Sequence, residues 1–193
     1  MRKWLFLSLF FILAACNAAP KATHFIGTDI TGAEFGKPLT LTDHTGKLRS
    51  ITDFKGKVVI MFFGYTHCPD VCPTTMSDLR QTMKLLGKDA DQVQVLFITV
   101  DPGRDTQEVL AQFVPSFDKR FIGLRGSLQE VAENMGSYKI FASKVTSSAD
   151  SSSNYTVDHS AGLYVFDKAG TARIYMSYGQ KPADIAHDVK QLF

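Results

Sequence analysis

Residues 57–87 read KVVIMFFGYTHCPDVCPTTMSDLRQTMKLLG, and residues 93–100 read VQVLFITV. Lys57 to Phe63 is an unbroken β-branched, aliphatic and aromatic run, the pattern of a strand buried on both faces. Val93 to Val100 repeats that pattern. Between them Met76, Leu79, Met83 and Leu86 recur at helical spacing, and Gly87 supplies the stop. Strand, crossover helix and strand form a βαβ unit, so the two strands are expected to pair in parallel.

The same reading extends in both directions. Leu39-Thr40-Leu41 and Leu48 to Ile51 flank His44-Thr45-Gly46, a β-hairpin with glycine at its turn. Leu110, Phe113, Val114 and Phe117 make one helical stripe, and Leu128, Val131, Ala132 and Met135 another. Leu163 to Phe166 and Ala172 to Tyr178 form a hairpin around Asp167-Lys168-Ala169-Gly170. A last helix carries Ile185, Val189, Leu192 and Phe193 on one side. Ser147 to Ser153 is polar and reads as a long mobile loop. It is not a domain boundary, because the forty or so residues beyond it are too few for a core of their own. The order βαβα, inserted helix, ββα matches an α/β, thioredoxin-like fold. Its central mixed sheet is flanked by helices, with an N-terminal β-hairpin and an inserted helix. Chemistry in such sheets gathers at the carboxyl ends of the parallel strands. Both Tyr65–Pro73 and the turn Asp101–Asp105 leave the core strands at that edge.

Composition narrows the function classes. The chain has 193 residues, a net charge of +2, and 45% hydrophobic and 21% charged residues. These are globular proportions without a basic surface for nucleic acid. Without Arg2 and Lys3 the basic and acidic residues balance. Those two residues open a leader, Met1-Arg2-Lys3 followed by the run Trp4 to Ala15, too short for a membrane span and ordered like a secretory signal. Leu13-Ala14-Ala15-Cys16 resembles the lipobox of bacterial lipoproteins. That resemblance implies a signal peptide over 1–15, a lipidated tether over 16–24 beginning at Cys16, and a domain over 25–193. It places the protein in the cell envelope as a membrane-anchored lipoprotein facing the periplasm. Asn17 in place of aspartate favours the outer membrane by the sorting rule of such proteins.

Setting Cys16 aside leaves Cys68 and Cys72. Both lie at or before a helix N-terminus, where partial positive charge is expected to lower a thiol pKa. Pro69 suits a first helical turn, and Pro73 demands a kink or a fresh start. Cysteines four apart on a helical turn have Cβ atoms about 5–6 Å apart, beyond the roughly 3.8 Å of a disulfide. The spacing leans towards a metal bridged by two thiolates, with a disulfide still open. Of the histidines, His24, His44 and His187 read as surface residues, and His67 adjoins Cys68 too closely to converge with it. His159 follows the Ser-rich stretch, where a thioredoxin-like fold faces the cysteine turn and where thioredoxins carry a cis-proline. Two thiolates and one imidazole form a soft three-coordinate set suited to copper; zinc would require a fourth ligand. Asp101 is a candidate to orient His159 from behind. Asp105 reads as a helix cap more readily than as a site residue. Met61, Met76, Met83 and Met135 read as core positions.

The stretches FGYTHCPDVCPTTMSDL, TVDPGRDT and YTVDHSAGLYVFD, in that order, resemble the SCO/SenC family of copper-binding, thioredoxin-like proteins. So does FIGTDITGAEFGKPLTLTDHTGKLRSITDFKGK, and the likeness runs from Phe25 to the C-terminus. Gln107 departs from the proline common in that family, and the Ser-rich stretch need not be shared; neither touches a ligand. The resemblance implies that Cys68, Cys72 and His159 bind Cu(I) or Cu(II). It also implies copper delivery to, or cysteine reduction in, the binuclear copper site of cytochrome c oxidase subunit II. Two function classes follow. The first is a copper metallochaperone. The second is a thiol-disulfide oxidoreductase in which Cys68 attacks and Cys72 resolves, acting on a metal-site partner or in redox defence. Both require an external periplasmic thiol reductant. A thiol peroxidase is set aside because the residues before Cys68 and Cys72 lack its threonine and proline spacing.

Overall fold

The computed structural model describes residues 24–35, 38–146 and 155–193. The leader, Cys16 and most of the tether lie outside the described residues, as does the Ser-rich stretch. Among the described residues ten strands and four α-helices follow in chain order: β1 (Thr28–Asp29), β2 (Thr40–Asp43), β3 (Leu48–Ser50), β4 (Val58–Gly64), α1 (Val71–Leu86), β5 (Val93–Thr99), α2 (Gln107–Phe117), β6 (Ile122–Arg125), α3 (Leu128–Ser137), β7 (Ala142–Thr146), β8 (Tyr155–His159), β9 (Leu163–Phe166), β10 (Ala172–Met176) and α4 (Pro182–Lys190). The main sheet runs β1-β10-β9-β4-β5-β6-β2-β3, and β7 with β8 forms a separate two-stranded sheet.

Strands β4, β5 and β6 pair in parallel, and every other neighbour in the main sheet is antiparallel. The expected βαβ unit is therefore present. All seven residues of β4 and all seven of β5 are buried, because both sheet faces are covered. Period-two alternation divides β4 between two cores. Val58, Ile60 and Phe62 pack with Met76, Leu79 and Met83 of α1, Leu110 and Val114 of α2, and Ile185 and Val189 of α4. Val59, Met61 and Phe63 face the opposite way, onto Leu39, Leu41, Phe54, Tyr138 and Tyr164.

Several local expectations need correction. Strand β6 and the β7–β8 pair did not stand out in the sequence; His159 precedes the Leu163 strand as expected, but it also ends a strand of its own. In α3 only Val131 is fully buried, whereas Leu128 is 70% exposed and Ala132 lies outside the core. That helix is held by its capping box, Ser127 with Glu130, more than by an apolar stripe. Phe193 is partly exposed. Gly87, at φ +59°, ends α1 in the left-handed region that glycine enters without strain.

Candidate metal centre

The site is assembled where β4 and β5 end. Chain leaving β4 turns through Thr66 and His67 to Cys68, whose amide donates to the Tyr65 carbonyl at 3.4 Å. Helix α1 starts at Val71, so Pro69 lies in the preceding turn and not in the helix. Pro73 falls in the first helical turn, where a missing N–H costs no intrahelical bond. It marks the fresh helix start expected of it. The Cys72 amide donates to the Cys68 sulfur at 3.4 Å, which fixes that sulfur over the end of α1.

Gly64 makes room for the second sulfur. A Cβ at that position would lie 2.9 Å from Cys72 Sγ and 3.0 Å from both Phe62 and Phe97. Cys72 is consequently buried, while Cys68 is half-buried and lines a cavity of about 310 Å³ together with Tyr65, Asp70, Val157 and His159. Neither cysteine is in a disulfide.

His159 arrives from β8. Its Nε2 stands 3.4 Å from Cys72 Sγ, and its Nδ1 stands 3.0 Å from the Ser160 carbonyl. A carbonyl only accepts, so Nδ1 carries the proton and Nε2 presents its lone pair to the sulfurs. The donor atoms of Cys68, Cys72 and His159 all lie within 4.8 Å of one another. This is the one such cluster among the described residues. Burial pushes the Cys72 thiol well above the ordinary cysteine range. Desolvation thus outweighs the helix terminus, reversing the expected direction for this sulfur. Burial likewise pushes the His159 imidazole down. A neutral imidazole therefore accepts from a neutral thiol.

The remaining candidates fall elsewhere. Asp101 does not touch His159. Its carboxylate accepts from the Tyr155 hydroxyl at 2.8 and 3.0 Å and from Arg104 Nε. The Ser160 carbonyl takes the orienting role expected of Asp101. Asp105 does not cap α2 either, since Thr106 does. Fully buried, Asp105 accepts from the Thr66 amide and hydroxyl and from the Thr99 hydroxyl, stitching the loops after β4 and β5 together. Arg104 lies 3.6 Å above the Tyr155 ring and donates to the Tyr155 carbonyl at 2.8 Å. His24, His67 and His187 are exposed, while His44 is half-buried and accepts from the Gly123 amide. Tyr65, which sequence reasoning passed over, is 2% exposed and meets His159 edge-to-face with centroids 5.8 Å apart. Its only signal was adjacency to the cysteine turn.

A family model described as SCO1/SenC matches residues 27–193. This chain belongs to the SCO1/SenC family. It is 37% identical over 154 residues to "Protein SCO2 homolog, mitochondrial" of Bos taurus, covering 79% of this chain and 57% of the relative. The chain thus spans little more than half the length of that relative. Among solved structures, Bradyrhizobium japonicum ScoI with copper bound is 39% identical, with a TM-score of 0.75 over 83% of this chain and 100% of the other. Apo Sco1 from Thermus thermophilus is 31% identical, with a TM-score of 0.77 over 90% of this chain and 99% of the other. The thioredoxin-like fold of this SCO1/SenC chain agrees with both. No helix among the described residues is long and apolar enough to cross a membrane.

Proposed function

We propose that this chain is a copper chaperone. Cys68 Sγ, Cys72 Sγ and His159 Nε2 would take one Cu(I) or Cu(II) ion as cargo and release it into the binuclear copper site of cytochrome c oxidase. One observation carries the reading: three soft donors converge within 4.8 Å beside an open cavity. Thiolate and imidazole donors suit copper, and no fourth protein ligand joins them among the described residues, which disfavours a closed zinc site. A relative 39% identical to this chain was crystallised with copper bound. Two thiolates neutralise Cu(II) and leave Cu(I) with a single negative charge, so both oxidation states are electrostatically accessible. A three-coordinate site leaves an open position where a partner's ligand enters.

The second reading is thiol-disulfide exchange on a partner's metal-binding cysteines. It is favoured by the unequal exposure of the two sulfurs: Cys68 faces the cavity and Cys72 lies beneath it. That order suits attack by Cys68 and resolution by Cys72. Under this proposal either role is exercised in the cell envelope, with a lipid on Cys16 holding the domain to a membrane and a thiol reductant regenerating the pair; the lipobox-like Leu13-Ala14-Ala15-Cys16 supports that reading.

Titration of the reduced domain with Cu(II) tests the first reading. One equivalent should bind, with intense thiolate-to-copper charge-transfer absorption. His159→Ala should weaken Cu(II) binding by more than about a hundredfold while leaving the metal-free fold intact. Rapid disulfide reduction without any copper spectrum would instead establish the second reading.

A further inference from the structure

Strand β8, which carries His159, belongs to the small two-stranded sheet and pairs with no strand of the main sheet. Its position over the sulfurs therefore depends on side chains. Tyr65 leaves the end of β4, three residues before Cys68, and is buried between the cysteine turn and β8. The Val157 amide turns away from β7 and donates to the Tyr65 hydroxyl at 3.1 Å. The ring edge packs on the His159 imidazole. One residue thus touches the backbone of the histidine strand and the histidine itself, while its carbonyl accepts from the Cys68 amide.

We infer that Tyr65 is a positioning residue whose hydroxyl ties β8 to the cysteine turn and so holds the His159 imidazole at the distance from which Nε2 reaches a shared metal. The part played by the metal rests on the copper reading; the tie itself does not.

The test has a metal-free arm and a copper arm. Without metal, the wild-type Val157 amide should be protected from hydrogen exchange although no strand pairs with it on that side. Tyr65→Phe keeps the ring and should speed that exchange about five- to tenfold, the loss of one net hydrogen bond, while amides of β4 and β5 hold their rates. With Cu(II) added as the sulfate, Tyr65→Phe should weaken Cu(II) binding about five- to tenfold, because the imidazole loses its anchored position. An unprotected Val157 amide in the wild-type protein, a measurement needing no variant, overturns the tie, as does an unchanged rate in Tyr65→Phe. An unchanged Cu(II) affinity overturns the positioning of the imidazole. Failure of wild-type protein to take up Cu(II) overturns the chaperone reading, while the exchange arm still decides the tie.

Discussion

At the scale of single residues, the site is governed by how little space surrounds the inner sulfur. Gly64 ends β4 directly beneath Cys72 Sγ, and no side chain fits there without displacing either that sulfur or the rings of Phe62 and Phe97. Gly64→Ala should cost about 1–3 kcal/mol of stability by overpacking. It should also weaken Cu(II) binding by tenfold or more, because the sulfur yields before the buried rings do; thermal melts and a copper titration check both. The three side chains that converge were legible in the sequence, since cysteine and histidine are scarce and chemically conspicuous. Tyr65 was not, because an aromatic residue after a buried strand reads as packing. Asp105 misled for a related reason: an aspartate before a helix looks like a cap until the structure shows Thr106 doing that work.

At the scale of elements, the tightest dependence is that of β8 on the loop after β5. Arg104 lies against the ring of Tyr155, whose hydroxyl donates to Asp101, while Lys144 Nζ of β7 lies 4.5 Å from the centroid of the same ring. Tyr155→Phe removes that hydroxyl and leaves Asp101 with Arg104 alone. Amide exchange along β7 and β8 should accelerate, with about 1 kcal/mol lost from the pairing of this small sheet. Exchange in α1 and β5 should not change, and a uniform acceleration would contradict a local latch. The sequence concealed β7 because Ala142–Thr146 is largely exposed and lacks an apolar alternation. It concealed β6 because Ile122–Arg125 offers only four residues. By contrast, β4 and β5 were plain because burial on both faces demands continuous apolar runs.

At the scale of the whole molecule, one sheet with a core on each face should unfold cooperatively, since β4 contributes side chains to both. Its acid sensitivity is traceable to Asp43, 1% exposed at the end of β2. Burial alone would raise this carboxyl, but bonds from Thr45, Arg49 and the Lys47 amide outweigh it and hold the group at about 2. A carboxyl depressed in the folded state contributes stability that is complete above its unfolded value near 4 and disappears as pH falls towards 2. The contribution is about 2 kcal/mol. Thermal melts between pH 5 and pH 2 should show Asp43→Asn losing less stability on acidification than the wild type. By itself the sequence determined the β4-α1-β5 unit, the two hairpins of the main sheet, the thioredoxin-like order and the identity of the three donors, because local periodicity and residue chemistry are written along the chain. Only the tertiary structure decided that Cys72 Sγ and His159 Nε2, 87 positions apart, stand 3.4 Å from each other. It alone decided that burial overrides the helix terminus at Cys72, and that Tyr65 and the Ser160 carbonyl meet the imidazole. Those outcomes depend on which distant surfaces pack together, and packing across a sheet leaves no period in the sequence to read.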